Sequence, residues 1–175
     1  MASRVALPLF TIGHGAVDIA TFLDYLRGAE IVSLVDVRRF PGSRKHPQFG
    51  SQALSQALER ASIAYRHVED LGGRRRPLPN SPNTGLRNEG FRGYADWMAG
   101  DAFRAAFWHV VEASHERRTA VMCAETPWWK CHRRLISDAA VLLANTAVVH
   151  VIGAKRAEHR LTDGVARAGE GLLYR

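Results

Sequence analysis

The chain has 175 residues, 46% of them hydrophobic, only two cysteines and a formal charge of +7. That length suits one domain with a full core and no need of covalent staples. No apolar run nears the roughly 18 residues a membrane-spanning helix needs, and the opening MASRVALPLF has too short an apolar core for a secretory signal, so the expected location is the cytoplasm. The positive charge points to an anionic partner, although 21 of the 24 basic residues are arginine, a skew that genomic base composition alone can produce.

In chain order, the apolar run LFTIG (9–13) ends in glycine and is followed by a helical pattern through Val17, Ile19, Phe22, Leu23 and Leu26. IVSLVDV (31–37) has the β-branched composition of a strand buried on both faces. Leu54, Leu58 and Ala61 mark a second helix, and a strand follows at about 64–68. DLGGRRRPLPNSPNTGLRNEG (70–90) has no periodicity and is read as a basic flap. A helix at 91–98, a longer one capped by Asp101, a strand TAVMCA (119–124), a helix over 127–145 and a strand AVVHVIG (147–153) complete the regular pattern. The tail is weakly patterned, with one helix expected around His159 to Ala168. The alternation predicts a single α/β domain spanning 1–175, a mainly parallel sheet of about five strands with helices on both faces.

Sheets of this kind bind ligands beyond the carboxyl ends of their strands. His14, Asp36, Arg38, Arg39, Cys123 and Glu125 all lie at or just beyond the carboxyl ends of predicted strands, so they are expected to converge on one rim. The densest stretch is CAETPWWKCHRR (123–134). Thr126 and Pro127 look like a helix cap and first helical residue. Counted from there at about 100° per residue, His132 falls on the apolar face with Leu135, Ile136, Ala139, Leu142 and Leu143. Cys131 falls on its edge, Arg134 flanks that cysteine, and Arg133 points away.

Three chemistries fit that stretch. A cysteine near a helix start beside basic groups has a stabilised thiolate. Cys123, Cys131 and His132, with Glu125, are zinc-type donors, though the Cys-to-Cys gap is longer than structural zinc sites use. Cysteine and histidine on an apolar helix face are also ordinary core residues. The two cysteines are not read as a pair, no metal ligand is assigned, and no cofactor is required. Upstream, Arg38, Arg39, Arg44 and Lys45 with Ser43 surround a Pro41–Gly42 turn and suit phosphate oxygens. Asp36 would hold one of these arginines or act as a base. Trp128 and Trp129 suit stacking on a ring, or burial.

TIGH, DVR-x-x-P-x-S, LGG, FRGYADWM, CAE followed by CHR, VVHVIG and EHRLT together resemble the family known as domain of unknown function 488, over about Phe10 to Tyr174. The resemblance implies a small bacterial cytosolic protein, carries no known catalytic residue, and draws attention to His150 and His159. A fainter likeness joins LVDVR and Cys123 to rhodanese-type sulfurtransferases and their phosphatase relatives. Those enzymes cradle an anion in a tight loop after the cysteine, whereas here ETPWWK intervenes.

The resulting expectation is an arginine-rich pocket for a phosphate-bearing small molecule or a nucleic-acid end. Cys123, Glu125, His132 and Asp36 are the candidates for chemistry. His14, Arg38, Arg39, Ser43, Cys131 and Arg134 are the candidates for ligand contact. The alternatives are a non-catalytic nucleic-acid-binding module and a sulfurtransferase- or phosphatase-like cysteine enzyme.

Overall fold

The computed structural model describes residues 6–175; the first five residues of the MASRVALPLF opening lie outside them. Strands β1 (Leu9–Gly13), β2 (Ser33–Asp36), β3 (Ala64–His67), β4 (Thr119–Cys123), β5 (Val148–Ile152) and β6 (Lys155–Glu158) form one sheet in the order β3-β2-β4-β1-β5-β6. The first five are mutually parallel, and β6 is an antiparallel edge strand on β5. The sheet therefore has six strands where about five were expected.

Helices α1 (Ile19–Gly28) and α2 (Ser51–Arg60) cover one face, where Phe22, Leu26, Leu54 and Leu58 meet Phe10, Ile12, Leu34, Ala120 and Met122. Helices α3 (Glu89–Met98), α4 (Asp101–Glu116) and α5 (Arg133–Ala144) cover the other, where Tyr94, Phe103, Phe107, Leu135 and Ile136 meet Leu9, Val35, Val121 and Val148. Successive strand residues thus feed opposite cores, which is why the central strands are apolar almost throughout. Among the described residues no helix is long and apolar enough to cross a membrane.

The strand order decides where a ligand can enter. From β1 the chain leaves through α1 toward β2, whereas from β4 it leaves through α5 toward β5 on the far side of β1. The two connections part on opposite faces, which opens a crevice at the carboxyl ends of β1 and β4.

Two expectations are corrected. The tail is not helical: β7 (Val165–Ala168) and β8 (Gly171–Tyr174) pair as an antiparallel hairpin that packs against α3 and α5. Helix α5 begins at Arg133, not Pro127. Pro127 is extended, with φ −71° and ψ 115°, and Trp128–Lys130 form a separate 3-10 turn ending at an extended Cys131. Residues before Arg133 therefore fall off the helical wheel, and Arg133, set on the wheel away from the apolar stripe, is nonetheless buried, because α5 is buried on most of its sides between Arg133 and Ala140.

The 70–90 segment is irregular, as expected, but α3 pins it along its length. Tyr94 donates to the Leu71 carbonyl and Trp97 to that of Asp70. Asp96 accepts from the Leu78 amide, the Ser81 hydroxyl and the Asn83 amide group. FRGYADWM is thus the strip that fixes the basic segment against the domain.

Candidate active site

At the crevice the parallel pairing of β1 and β4 runs on past both strands. The His14 amide donates to the Cys123 carbonyl at 3.0 Å and the Gly15 amide to that of Ala124 at 2.9 Å. A side chain at Gly13 would overlap the Glu125 carbonyl, so glycine is what lets the two chains close here.

A cavity of about 430 Å³ opens above this floor. It is lined by His14, Arg38, Arg39, Ser43, Cys123, Glu125, Cys131 and His132, eight of the ten candidates from the sequence. Two are elsewhere. Asp36 is fully buried beneath Arg38, and Arg134 turns to the C-terminal segment, where its Nε donates to the Thr162 hydroxyl at 2.7 Å.

Asp36 fixes Arg38 from below. Its carboxylate accepts from Arg38 Nε at 2.9 Å, Arg38 Nη2 at 2.6 Å, the Arg38 amide and the Tyr65 hydroxyl. With the guanidinium engaged from two sides, only Nη1 faces upward, 3.4 Å from His14 Nε2. His14 Nδ1 donates to the Gly15 carbonyl, which leaves Nε2 as the acceptor. The ring stacks on Phe49 at 4.2 Å, and burial, aided by the Arg38 charge, lowers its pKa to about 4.

On the opposite wall Cys123 ends β4, Cys131 follows the 3-10 turn and His132 caps α5. His132 Nε2 donates to the Val37 carbonyl at 2.9 Å, so Nδ1 faces the sulfurs, 3.6 Å from Cys131 Sγ and 3.9 Å from Cys123 Sγ. Eight positions apart in sequence and not read as a pair, the two cysteines are neighbours in space, and both are free thiols. Hydrogen bonding to Cys131, then burial, pushes the Cys123 thiol up. Burial acts the same way on Cys131 but is outweighed by the bond from Cys123, by His132 and by Arg133, so Cys131 lies well below the usual thiol range.

Arg133 is the residue the sequence reading missed. It is 1% exposed and makes no salt bridge among the described residues. One Nη donates to the Thr11 hydroxyl at 3.3 Å, and the other to the Glu125 and Thr126 carbonyls. It therefore holds the loop that carries Glu125 and places a positive charge behind the thiols. The signal available in the sequence was Gly13, whose missing Cβ clears room for the Arg133 guanidinium as well.

Behind Arg133 runs a buried hydrogen-bonded chain. Thr11 Oγ1 lies 2.6 Å from His150 Nδ1, His150 Nε2 lies 3.0 Å from His159 Nδ1, and His159 Nε2 lies 2.9 Å from Asp138 Oδ1. Asp138 also accepts from the Thr162 amide and the Tyr174 hydroxyl. Trp128 stacks on His150 at 4.2 Å, which makes it a cover for this chain, while Trp129 is half exposed.

Lys130, Arg74, His46 and Phe40 also line the cavity, and so do Asn88 and Gly90 at the start of α3. Of its charged side chains, Arg39, Arg74 and Lys130 are positive and not neutralised by a salt bridge among the described residues, against the single carboxylate of Glu125.

The model of one protein family, the domain of unknown function DUF488, matches residues 18–140. The chain belongs to the DUF488 family. No curated protein and no solved structure matches it. The matched residues of this DUF488 chain take in the second and fourth strands, the arginine pair, both cysteines and His132, while β1 with His14 and the His150–His159 stretch lie outside them.

Proposed function

We propose that the cavity binds a phosphate-bearing ligand, a nucleotide or the phosphorylated end of a nucleic acid. The observation that carries this reading is that Arg39, Arg74 and Lys130 share one cavity with Glu125, His132 and both cysteines. Phosphate oxygens suit guanidinium forks and the amide-rich first turn of a helix, and α3 begins at the same cavity wall. Arg38 serves mainly to position His14, because Asp36 holds its Nε and Nη2 from below and leaves Nη1 toward the His14 ring. Glu125 and the thiol–imidazole group flank the space where the bound group would react, Glu125 as the proton-transferring carboxylate.

A second depression favours a polymer end over a free nucleotide. It is lined by Arg39, Arg74, Arg75, Arg76 and Trp97, with the Arg75 guanidinium 3.8 Å from the Trp97 ring centre. Arg39 and Arg74 belong to both cavities, so a basic track leads outward from the site.

The test is binding of a 5′-phosphorylated oligonucleotide, its dephosphorylated form and a mononucleotide at several salt concentrations. The phosphorylated strand should bind tightest, and Arg39→Ala and Lys130→Ala should each weaken it several-fold and flatten its salt dependence. Equal affinity for the dephosphorylated strand, or indifference to both substitutions, would sink the reading.

A further inference from the structure

We propose that Cys123, Cys131 and His132 form a zinc site with its fourth position open to the cavity. This goes beyond the anion-binding reading and does not depend on it.

The three donor atoms lie within 4.8 Å of one another. The two sulfur-to-nitrogen distances are 3.6 and 3.9 Å. Tetrahedral zinc, with bonds of about 2.3 Å to sulfur and about 2.0–2.1 Å to nitrogen, separates such donors by about 3.6 Å. Two edges of the triangle thus match those of a zinc tetrahedron, and the third, between the sulfurs, is within 4.8 Å. A long sequence gap does not prevent this. Glu125 and Thr126 are tied to Arg133 and Trp128–Lys130 make a turn, so the chain returns to β4 after eight residues.

The imidazole is oriented as a zinc ligand requires. Its Nε2 hydrogen goes to the Val37 carbonyl at the end of β2, which leaves a lone pair on Nδ1 aimed between the sulfurs. Anchoring of the second ring nitrogen by a carbonyl is the usual outer support of a metal-bound histidine. A side chain at Gly73 would come within 2.8 Å of that same Nδ1, so the LGG glycine keeps the ring in place. The Arg133 amide points at Cys131 Sγ from 3.5 Å and supports negative charge on it.

The donor set selects the ion. Two thiolates and an imidazole are soft to intermediate donors, suited to zinc and unsuited to magnesium or calcium. Two thiolates also neutralise a divalent ion, which can then sit beside Arg38 and Arg133 without an excess of positive charge. Both cysteines are buried, and all three donors line the cavity. Three protein ligands and an open fourth position are the pattern of a catalytic zinc site, not a closed structural one.

The test uses the full chain, purified under reducing conditions, with the metal alone. Native mass spectrometry and elemental analysis should find one zinc per chain. After chelation, cobalt(II) should restore tetrahedral visible bands together with thiolate-to-cobalt charge transfer. Cys123→Ser, Cys131→Ser and His132→Ala should each lower zinc affinity by more than the roughly 100-fold that loss of an outer-shell partner costs. His132→Cys should retain the metal. The proposal falls if reduced wild-type protein shows no thiolate-to-cobalt charge transfer, or if folded variants bind zinc as the wild type does. The cobalt spectrum is read on the wild type, so a variant that fails to fold does not spoil the test.

Discussion

Two polar clusters meet at Arg133, and they differ in how much of their hydrogen-bonding capacity is spent. In the buried chain from Thr11 to Asp138, each donor has a partner. Arg133 gives to Thr11, and with Asp138 as the final acceptor the protons run from Thr11 to His150, His159 and the carboxylate. In the cavity, capacity is left over: neither Lys130 nor Glu125 makes a salt bridge among the described residues, and the buried Nε of Arg39, like that of Arg133 at the junction of the two clusters, has no partner among them. The same residue types therefore build a brace in one place and a receptor in the other. What separates them is satisfaction, because unpaired buried groups cost free energy unless a ligand completes them.

Asp138→Ala should break the comparison most severely. It strands the His159 ring, the Tyr174 hydroxyl and the Thr162 amide together, for a loss on the order of 3–5 kcal/mol in chemical denaturation. Gly13→Ala attacks the seam between the clusters. It pushes the Glu125 carbonyl off the floor and should cost about 1–3 kcal/mol, with ligand affinity falling alongside stability.

Acid provides a graded version of the first test. His150 faces Thr11 on β1, His159 after β6, the Arg133 charge on α5 and the Trp128 ring. Burial, then the charges of His159 and Arg133, lowers its pKa from 6.5 to about 3. Between those two values the unfolded chain binds a proton that the folded chain refuses, so this contribution to stability is full above 6.5 and is lost as pH falls toward 3. His150→Gln should flatten the slope of stability against pH across that interval. An unchanged slope would mean that the buried chain takes up a proton without cost.

Glu125→Gln should give the smallest change in stability, within about 0.5 kcal/mol, since the side chain is exposed. If Glu125 moves a proton, the same substitution abolishes turnover while ligand binding survives. A large loss of stability would instead make Glu125 part of the brace.

The sheet and the gathering of residues on its rim were legible because they follow from patterns of short range. IVSLVDV and TAVMCA are apolar on both faces, and the polar residues after them leave the sheet at its carboxyl end. The start of α5 was not legible. Thr126–Pro127 carries a genuine cap signal, but Arg133 draws the carbonyls of this loop inward, and the helix begins six residues late. That contact spans chain segments and leaves no local pattern. The β7–β8 hairpin escaped for a related reason. Its strands are four residues long and partly exposed, and they take their place by packing on α3 and α5. His150 and His159 stood out only through the family resemblance. Their partner Asp138 sits in a helix whose sequence gives no hint of a buried carboxylate.

The amide-to-carbonyl hydrogen bonds that carry β1 and β4 past their ends join the cavity floor to the centre of the sheet. His14 and Cys123 therefore cannot shift without unzipping strands, whereas the wall made by residues 39–46 and by Gly73 and Arg74 belongs to loops at the margin. Change is thus cheap on one side of this cavity and prohibitive on the other. Relatives with a different appetite should keep the floor and rewrite the roof.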